Sequence, residues 1–480
     1  MKDYCDRALN ALQLLGASYG DVRLVHREGR GIVVKNGRVE AVTFDTSAGF
    51  GLRALVDGAW GFASADRVEP AAIEDAARQA VEIARASATV PGPHAELGEP
   101  ECYAASYRTP VQIDPFAVSI ESQIALLLRA DEAMRRVKGI TVAEGNIALF
   151  RERKTFASTE GSFIEQELTE TGCGIEATAV AQDDVQNRSY PNSVGRHQGT
   201  QGWEFILLQD LEGNAPRIAE EAVALLTAQQ CPSGTTTVIL DGTQTALQVH
   251  ESCGHAVELD RVFGMEAAYA GTSFLTPEKL GTFRYGSSLV SLTADATIPG
   301  GLGTFGFDDE GVPAQVTPIV RSGIFVGYLT SRETASRIGQ RSNGAARADG
   351  WNRIPLIRMT NVNLDPGTWR LSDMISDTDD GIYMQTNRSW SIDDRRLNFQ
   401  FGTEIAWEIK GGKLGQLLKN PTYTGITPQF WQSCDAIAGP DEWVIWGTPN
   451  CGKGQPGQVA HTGHGAAPAR FRNVRVGLMQ

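Results

Sequence analysis

A chain of 480 residues is long enough for two or three domains, each with a core of its own. Its composition, 41% hydrophobic and 21% charged, is that of a soluble globular protein, and a formal net charge of −14 argues against a direct nucleic-acid binder, which needs a basic face. No apolar run reaches the roughly 18 residues of a membrane span, the N-terminal MKDYCDRALNALQLL lacks the apolar core of a signal peptide, and the cysteines are scattered with no C-x-x-C pair, so a cytoplasmic location is expected.

Residues 3 to 15 read as an amphipathic helix closed by Gly16, with Leu9, Leu12 and Leu15 on one face. Strands are expected over Val22 to Val25, Gly31 to Lys35 and Arg38 to Phe44, the last two joined by a type I′ turn at Asn36-Gly37. Phe50 to Val56 and Trp60 to Ser64 add a pair around Asp57-Gly58, and the spacing predicts a helix from about Ala71 to Ala86. Pro91-Gly92-Pro93 then opens a loop that runs to Pro115. Gly16-Ala-Ser18-Tyr-Gly20 matches the G-x-S-x-G nucleophile elbow, but the elbow needs a strand before its serine and a helix after it. Here the order is reversed, and the segment reads as a helix cap and turn.

Ser119 to Val137 is a second long amphipathic helix, and Ile140 to Ala181 a meander of strands with turns at Glu144-Gly145 and Glu160-Gly161. After a third helix, Ala215 to Ala228, Cys231-Pro232-Ser233-Gly234 marks a boundary. The expected domains are therefore 1–230, divisible into about 1–115 and 116–230, and 231–480. The second half runs from a strand at Thr237 to Leu240 into a helix and then mostly strands, so the fold class is α+β: an N-terminal sheet-plus-helix domain and a largely antiparallel β C-terminal domain. Gly301 to Gly306 matches G-x-G-x-x-G, but no helix follows to meet a pyrophosphate, and it reads as a glycine-rich loop. The Asp308-Asp309-Glu310-Gly311 run behind it reads as a solvated turn.

Chemistry concentrates in Thr243 to Arg261, where His250 and Glu251 precede His255. Two imidazoles and a carboxylate are the raw material of a zinc hydrolase, but the usual H-E-x-x-H places its histidines four apart, and here they are five apart. On a regular helix that spacing separates them by roughly 140°, too far to share an ion. One wide π-type turn would absorb the extra residue, with Gly254 easing the distortion and Thr243 as the N-cap. Glu258 would then face inward with His255 and could hydrogen-bond it. A catalytic zinc needs a third protein ligand. The candidates are Cys253, His197, Cys434, Cys451, His461 and His464; Cys253 is hindered by its place between the histidines, and Cys451 is preferred because it lies in the Gly- and Pro-punctuated run Pro449 to Pro456, with Lys453 near to favour its thiolate.

His250-Glu251-Ser-Cys-Gly254-His255-Ala-Val-Glu258 resembles the H-E-x-x-G-H-x-x-E motif of the TldD/PmbA metallopeptidases, in its TldD-type, catalytic form. The resemblance continues through Asp308 to Gly311, Gly323-Ile324, Gly327-Tyr328-Leu329, Arg358-Met359-Thr360-Asn361 and Cys451-Gly-Lys-Gly-Gln455-Pro456. It implies a Zn2+ peptidase whose metal is held by His250, His255 and Cys451, with Glu251 activating the zinc-bound water, and whose substrates are unfolded or modified peptides. It also implies a dimer enclosing the site, either a heterodimer with a PmbA-like subunit or a homodimer. Cys253 lies outside the family pattern and could compete for metal, while His461 and His464 could face the substrate or stabilise an oxyanion. The rival expectation is a metal-stabilised, non-catalytic binding or regulatory subunit of such a complex; the intact Glu251 weighs against it, because a structural zinc needs no general base.

Overall fold

The computed structural model describes residues 1–100, 102–193, 197–455 and 457–477; Pro456, the last residue of the C-terminal motif, lies outside the described residues. The fold is α+β. In the first half, helices Lys2–Leu14, Pro70–Ala88, Ile120–Arg135 and Leu211–Thr227 pack on one twisted sheet. Its strands run in the order Ala59–Ala65, Arg38–Val56, Tyr19–Lys35, Ile140–Ser158, Phe163–Val180, Ala104–Arg108, so strands from residues before and after 115 share one ladder.

The strands are longer than their sequence suggests. Val22–Val25 and Gly31–Lys35 belong to one strand, Tyr19–Lys35, and the turn expected at Glu144-Gly145 does not form: Gly145 sits in mid-sheet, paired with Val34 on one side and Ile175 on the other. Other glycines of this sheet serve close packing. A Cβ on Gly49 would fall 2.5 Å from the Trp351 ring, and one on Gly51 2.4 Å from the Trp351 carbonyl oxygen. The turn at Glu160-Gly161 is present, with Gly161 at φ +102°. Helix Leu211–Thr227 starts earlier than expected because Asp210 caps it, its Oδ1 accepting from the Gly213 amide at 3.2 Å.

In the second half, Gly234–Leu240, Ala469–Val476, Thr422–Ile426, Asn398–Lys410 and Asp380–Ile392 are hydrogen-bonded in succession, and the last returns to the first. The five strands close into a ring, which removes the exposed edges of an open sheet. Phe399, Phe401, Tyr423, Phe430, Trp431 and Phe471 fill its core, each worth roughly 1.5–3 kcal/mol of burial. Leu292–Asp295, Val316–Arg321, Ile324–Phe325 and Val362–Leu364 make a smaller sheet, and Val444–Lys453 with Gln458–Ala466 a long hairpin. No helix among the described residues is long and apolar enough to cross a membrane.

The acidic run at 308–310 is not a solvated turn. Asp308, Asp309 and Glu310 are only 1%, 1% and 4% exposed, because the first-half sheet covers them. Asp309 meets Lys154 at 2.6 Å, Glu310 meets Arg53 at 3.1 Å and accepts the Arg332 amide at 2.7 Å, and Asp308 accepts the amides of Glu310, Val312 and Ala346. Three residues that look polar and exposed in sequence thus form a seam between the two halves. The glycines of 301–306 act in the same way: a Cβ on Gly303 would strike the Thr360 backbone at 2.3 Å, and one on Gly306 would strike Tyr107 at 2.4 Å.

Candidate metal centre

The segment Thr243 to Arg261 lies along the ring core, held by Gln244 and Gln248 on the Tyr423 hydroxyl and by Trp431 donating to Ser252. Its N-cap is Asp241 rather than Thr243: the carboxylate accepts the Gln244 amide at 2.9 Å, while the Thr243 hydroxyl merely supports that carboxylate. Helix Gly242–Val249 passes into a π-turn over His250–Gly254, in which the His255 amide donates to the His250 carbonyl, and then into one 3-10 turn, His255–Val257. The wide turn places the two imidazoles edge to face, centroids 5.0 Å apart. Gly254 is required for space, not for backbone freedom. Its φ of −51° suits any residue, but a Cβ there would lie 2.0 Å from Met359 Sδ.

Cys451 is carried not by a loop but by strand Val444–Lys453 of the hairpin, just past a break in register between Thr448 and Cys451. Such irregularities re-aim a side chain. The thiol lies 3.5 Å from His255 Nε2, and one ligand atom each from His250, His255 and Cys451 can be taken with all three within 4.8 Å of one another. Among the described residues no other group of His, Cys, Asp and Glu gathers in this way. The hydrogen bonds decide which imidazole nitrogens remain available. His464 Nδ1 lies 2.9 Å from the Val362 carbonyl, which accepts only, so His464 donates there and accepts at Nε2. His250 Nδ1, 2.7 Å from that Nε2, must then carry a proton, leaving the lone pair on His250 Nε2. Glu258 Oε2 accepts a hydrogen bond from His255 Nδ1 at 2.9 Å with the same result. Burial pushes all three imidazoles below their ordinary range, keeping them neutral. Burial would raise the Cys451 thiol, and the nearby Arg358 guanidinium works against that rise.

Three family models match in sequence: the PmbA/TldA metallopeptidase domain 1 over residues 20–84, the central domain over 113–230 and the C-terminal domain over 233–477. The chain belongs to the PmbA/TldD metallopeptidase family. It is 30% identical to a metalloprotease of Methanocaldococcus jannaschii, spanning 94% of this chain and 95% of that one. A zinc metalloprotease TldD homolog of Saccharolobus solfataricus is 21% identical over 96% of this chain and 97% of its own. TldE from Thermococcus kodakarensis has the same fold, with a TM-score of 0.76 at 16% identity over 98% and 99% of the two chains. A structure from Thermotoga maritima described as a putative modulator of a DNA gyrase superposes with a TM-score of 0.78 at 17% identity, covering 99% of this chain and 100% of its own. These metallopeptidase relatives make the chain a hydrolase by family.

Some of the segments through which the chain resembles the PmbA/TldD family support the three donors. Leu329 brackets Glu258, its amide bonding the Val257 carbonyl and its carbonyl the Leu259 amide. Arg358 donates to the Cys451 carbonyl, and Asn361 holds the Gly303 amide and the Thr304 hydroxyl. Lys453 does not act on the thiol directly. Its ammonium, 1% exposed, sits between Asp260 at 2.6 Å and Glu258 at 3.3 Å, bracing the carboxylate that orients His255. Glu251, beside His250, pairs with Arg396 at 2.7 Å, its one ion pair among the described residues.

The other sequence candidates lie elsewhere. Cys253 faces the apolar core beside the Tyr285 hydroxyl, where burial pushes its thiol up to about 12. Cys434 is buried likewise, and His197 packs between Phe205 and Trp446, pushed down to about 3 by burial. Since Cys451 pairs with Ala460, His461 points to the opposite face of the hairpin, where it meets Glu170 at 2.5 Å and the Phe150 ring. Arg396, in the run Asp393-Asp394-Arg395-Arg396, gave no sequence signal, and Arg358 was marked only by the family resemblance.

Proposed function

We propose that the chain is a zinc-dependent peptidase, the TldD-type subunit of its family, with His250, His255 and Cys451 holding the metal and Glu251 as general base. The observation that carries this reading is the donor set: two neutral imidazoles whose Nδ1 atoms are committed elsewhere and the Cys451 thiol converge, with a carboxylate adjacent. Two nitrogens and one sulfur suit zinc, and catalytic zinc sites use three protein ligands where structural ones close with four. A zinc ion there would supply Lewis acidity, bringing a water molecule towards deprotonation near pH 7. Glu258, braced by Lys453, and His464, braced by Val362, hold the ligand rings in orientation. Glu251 takes the proton of the attacking water and passes it to the leaving amine of an unfolded or modified peptide. The active unit is a dimer, with a PmbA-like chain or a second copy.

Glu251→Gln separates this from a metal-stabilised regulatory subunit. Zinc content should stay at the wild-type level while peptide cleavage falls by about 10²–10⁴-fold, the usual weight of a general base. Metal analysis and turnover on a mixed peptide set read both quantities. Unchanged cleavage by the variant would refute the assignment of the base.

A further inference from the structure

Amide hydrolysis needs, besides a base, a donor for the charge that grows on the carbonyl oxygen. His461 and His464 are unsuited to the task. Both ring nitrogens of His464 are engaged, by Val362 and His250, and His461 is turned towards Glu170 on the far face of the hairpin. Arg347 and Arg358 are near and likewise carry a buried Nε without a partner among the described residues, but Arg347 Nη2 and both Arg358 Nη atoms are tied to backbone carbonyls of Met359, His461, Cys451 and Gln458. Arg396 differs in its anchor, the carboxylate proposed as the base. Its Nη1 holds Glu251 at 2.7 Å, while its Nε is buried with no partner among the described residues. Its charge also acts on His250 and His255, which places it near the donor set.

The backbone is arranged to hold it there. Arg396 has φ +64°, a left-handed conformation that a long side chain rarely adopts and that persists only when its surroundings enforce it. Its amide donates to the Asp393 carbonyl at 2.9 Å, its carbonyl accepts from the Thr427 hydroxyl at 2.8 Å, and the next amide is bound by the Asp393 carboxylate at 2.7 Å.

We propose that Arg396 is a catalytic residue whose guanidinium, anchored on Glu251 by one nitrogen, donates from another to the carbonyl oxygen of the scissile amide. The planar fork with five N–H donors allows both bonds at once, which a lysine ammonium on a flexible stem does less well. As the water oxygen bonds to the carbonyl carbon, Glu251 accepts the water proton and the carbonyl oxygen gains negative charge opposite Arg396. As the C–N bond breaks, that charge returns to the carbonyl and Glu251 releases its proton to the amine.

This rests on the peptidase reading above, and its test includes a binding measurement that requires no turnover. Zinc-loaded wild type and Arg396→Gln are compared for kcat and KM, and by calorimetry for a phosphinic peptide, tetrahedral and anionic, against its neutral ketomethylene isostere. Loss of an oxyanion donor should lower kcat by about 10²–10³-fold with KM little changed, and weaken the phosphinic peptide by roughly tenfold or more while sparing the neutral one. Arg396→Lys should recover part of both, and it carries the same contrast if the Gln variant loses zinc or cooperative melting. Equal weakening of the two peptides, or kcat within about threefold of wild type, would overturn the role of Arg396. Wild type that holds zinc and cleaves no peptide would instead overturn the peptidase reading, with the calorimetric contrast still deciding for or against Arg396.

Discussion

Two buried polar clusters lie in the second half of this chain, and they are built on opposite rules. At the seam, Asp308, Asp309 and Glu310 spend their carboxylates on cations and amides, several of them from the first-half sheet. At the donor cluster, the Nδ1 atoms of His250 and His255 are committed to His464 and Glu258, while one ligand atom each of the two rings and the Cys451 sulfur lie within 4.8 Å of one another. Saturated charge in a low-dielectric setting locks two surfaces together, because removing one partner leaves the other buried and uncompensated. Convergent lone pairs instead make a site with something left to bind. Burial therefore does not distinguish structure from chemistry here; the direction of the uncommitted donors does.

Breaking the seam should have the largest effect on the fold. Asp309→Asn leaves Lys154 and Arg23 facing an uncharged amide, and unfolding free energy should drop by about 3 kcal/mol, the low end for a broken buried pair because Glu152 still supports Lys154 at 3.1 Å. Denaturant titration measures it, and zinc per folded chain should not change; a loss of zinc equal to the loss of stability would erase the contrast. A smaller effect is expected from His464→Ala, which removes the partner of His250 Nδ1: metal affinity should weaken by about 10–100-fold, as for other groups that orient a metal-binding histidine. Competition against a chromophoric chelator would show it, and an unchanged affinity would mean that His250 keeps its orientation unaided. Smallest of all should be Cys253→Ala, which costs about 1 kcal/mol through the core and nothing in zinc stoichiometry. A drop to less than one zinc per chain would place Cys253 at the metal.

Much of this was legible in residue order. The spacing of His250 and His255 excluded a regular helix and required a wide turn, and the chain forms one at His250–Gly254. The long helices and the mainly β second half followed from periodicity. What misled was glycine and charge. Gly145 reads as a break because sequence cannot reveal that it pairs in mid-sheet between Val34 and Ile175, and Gly254 reads as a source of flexibility where Met359 demands its small size. The acidic run read as solvated because no local feature announces a first-half sheet with Lys154 and Arg53 waiting for it.

By itself, then, the sequence determined the secondary-structure content, the wide turn and the ligand-type residues, since each follows from spacing of a few residues along one element. Tertiary structure decided which of seven cysteines joins the histidines, which imidazole nitrogen stays free, and that Arg396 meets Glu251 across 145 residues of chain. Those outcomes depend on hydrogen bonds and strand pairings between distant segments: the Val444–Lys453 hairpin, the Val362 carbonyl and the turn at Asp393. No local pattern encodes them, because their partners are chosen by the closing of the ring and the seam.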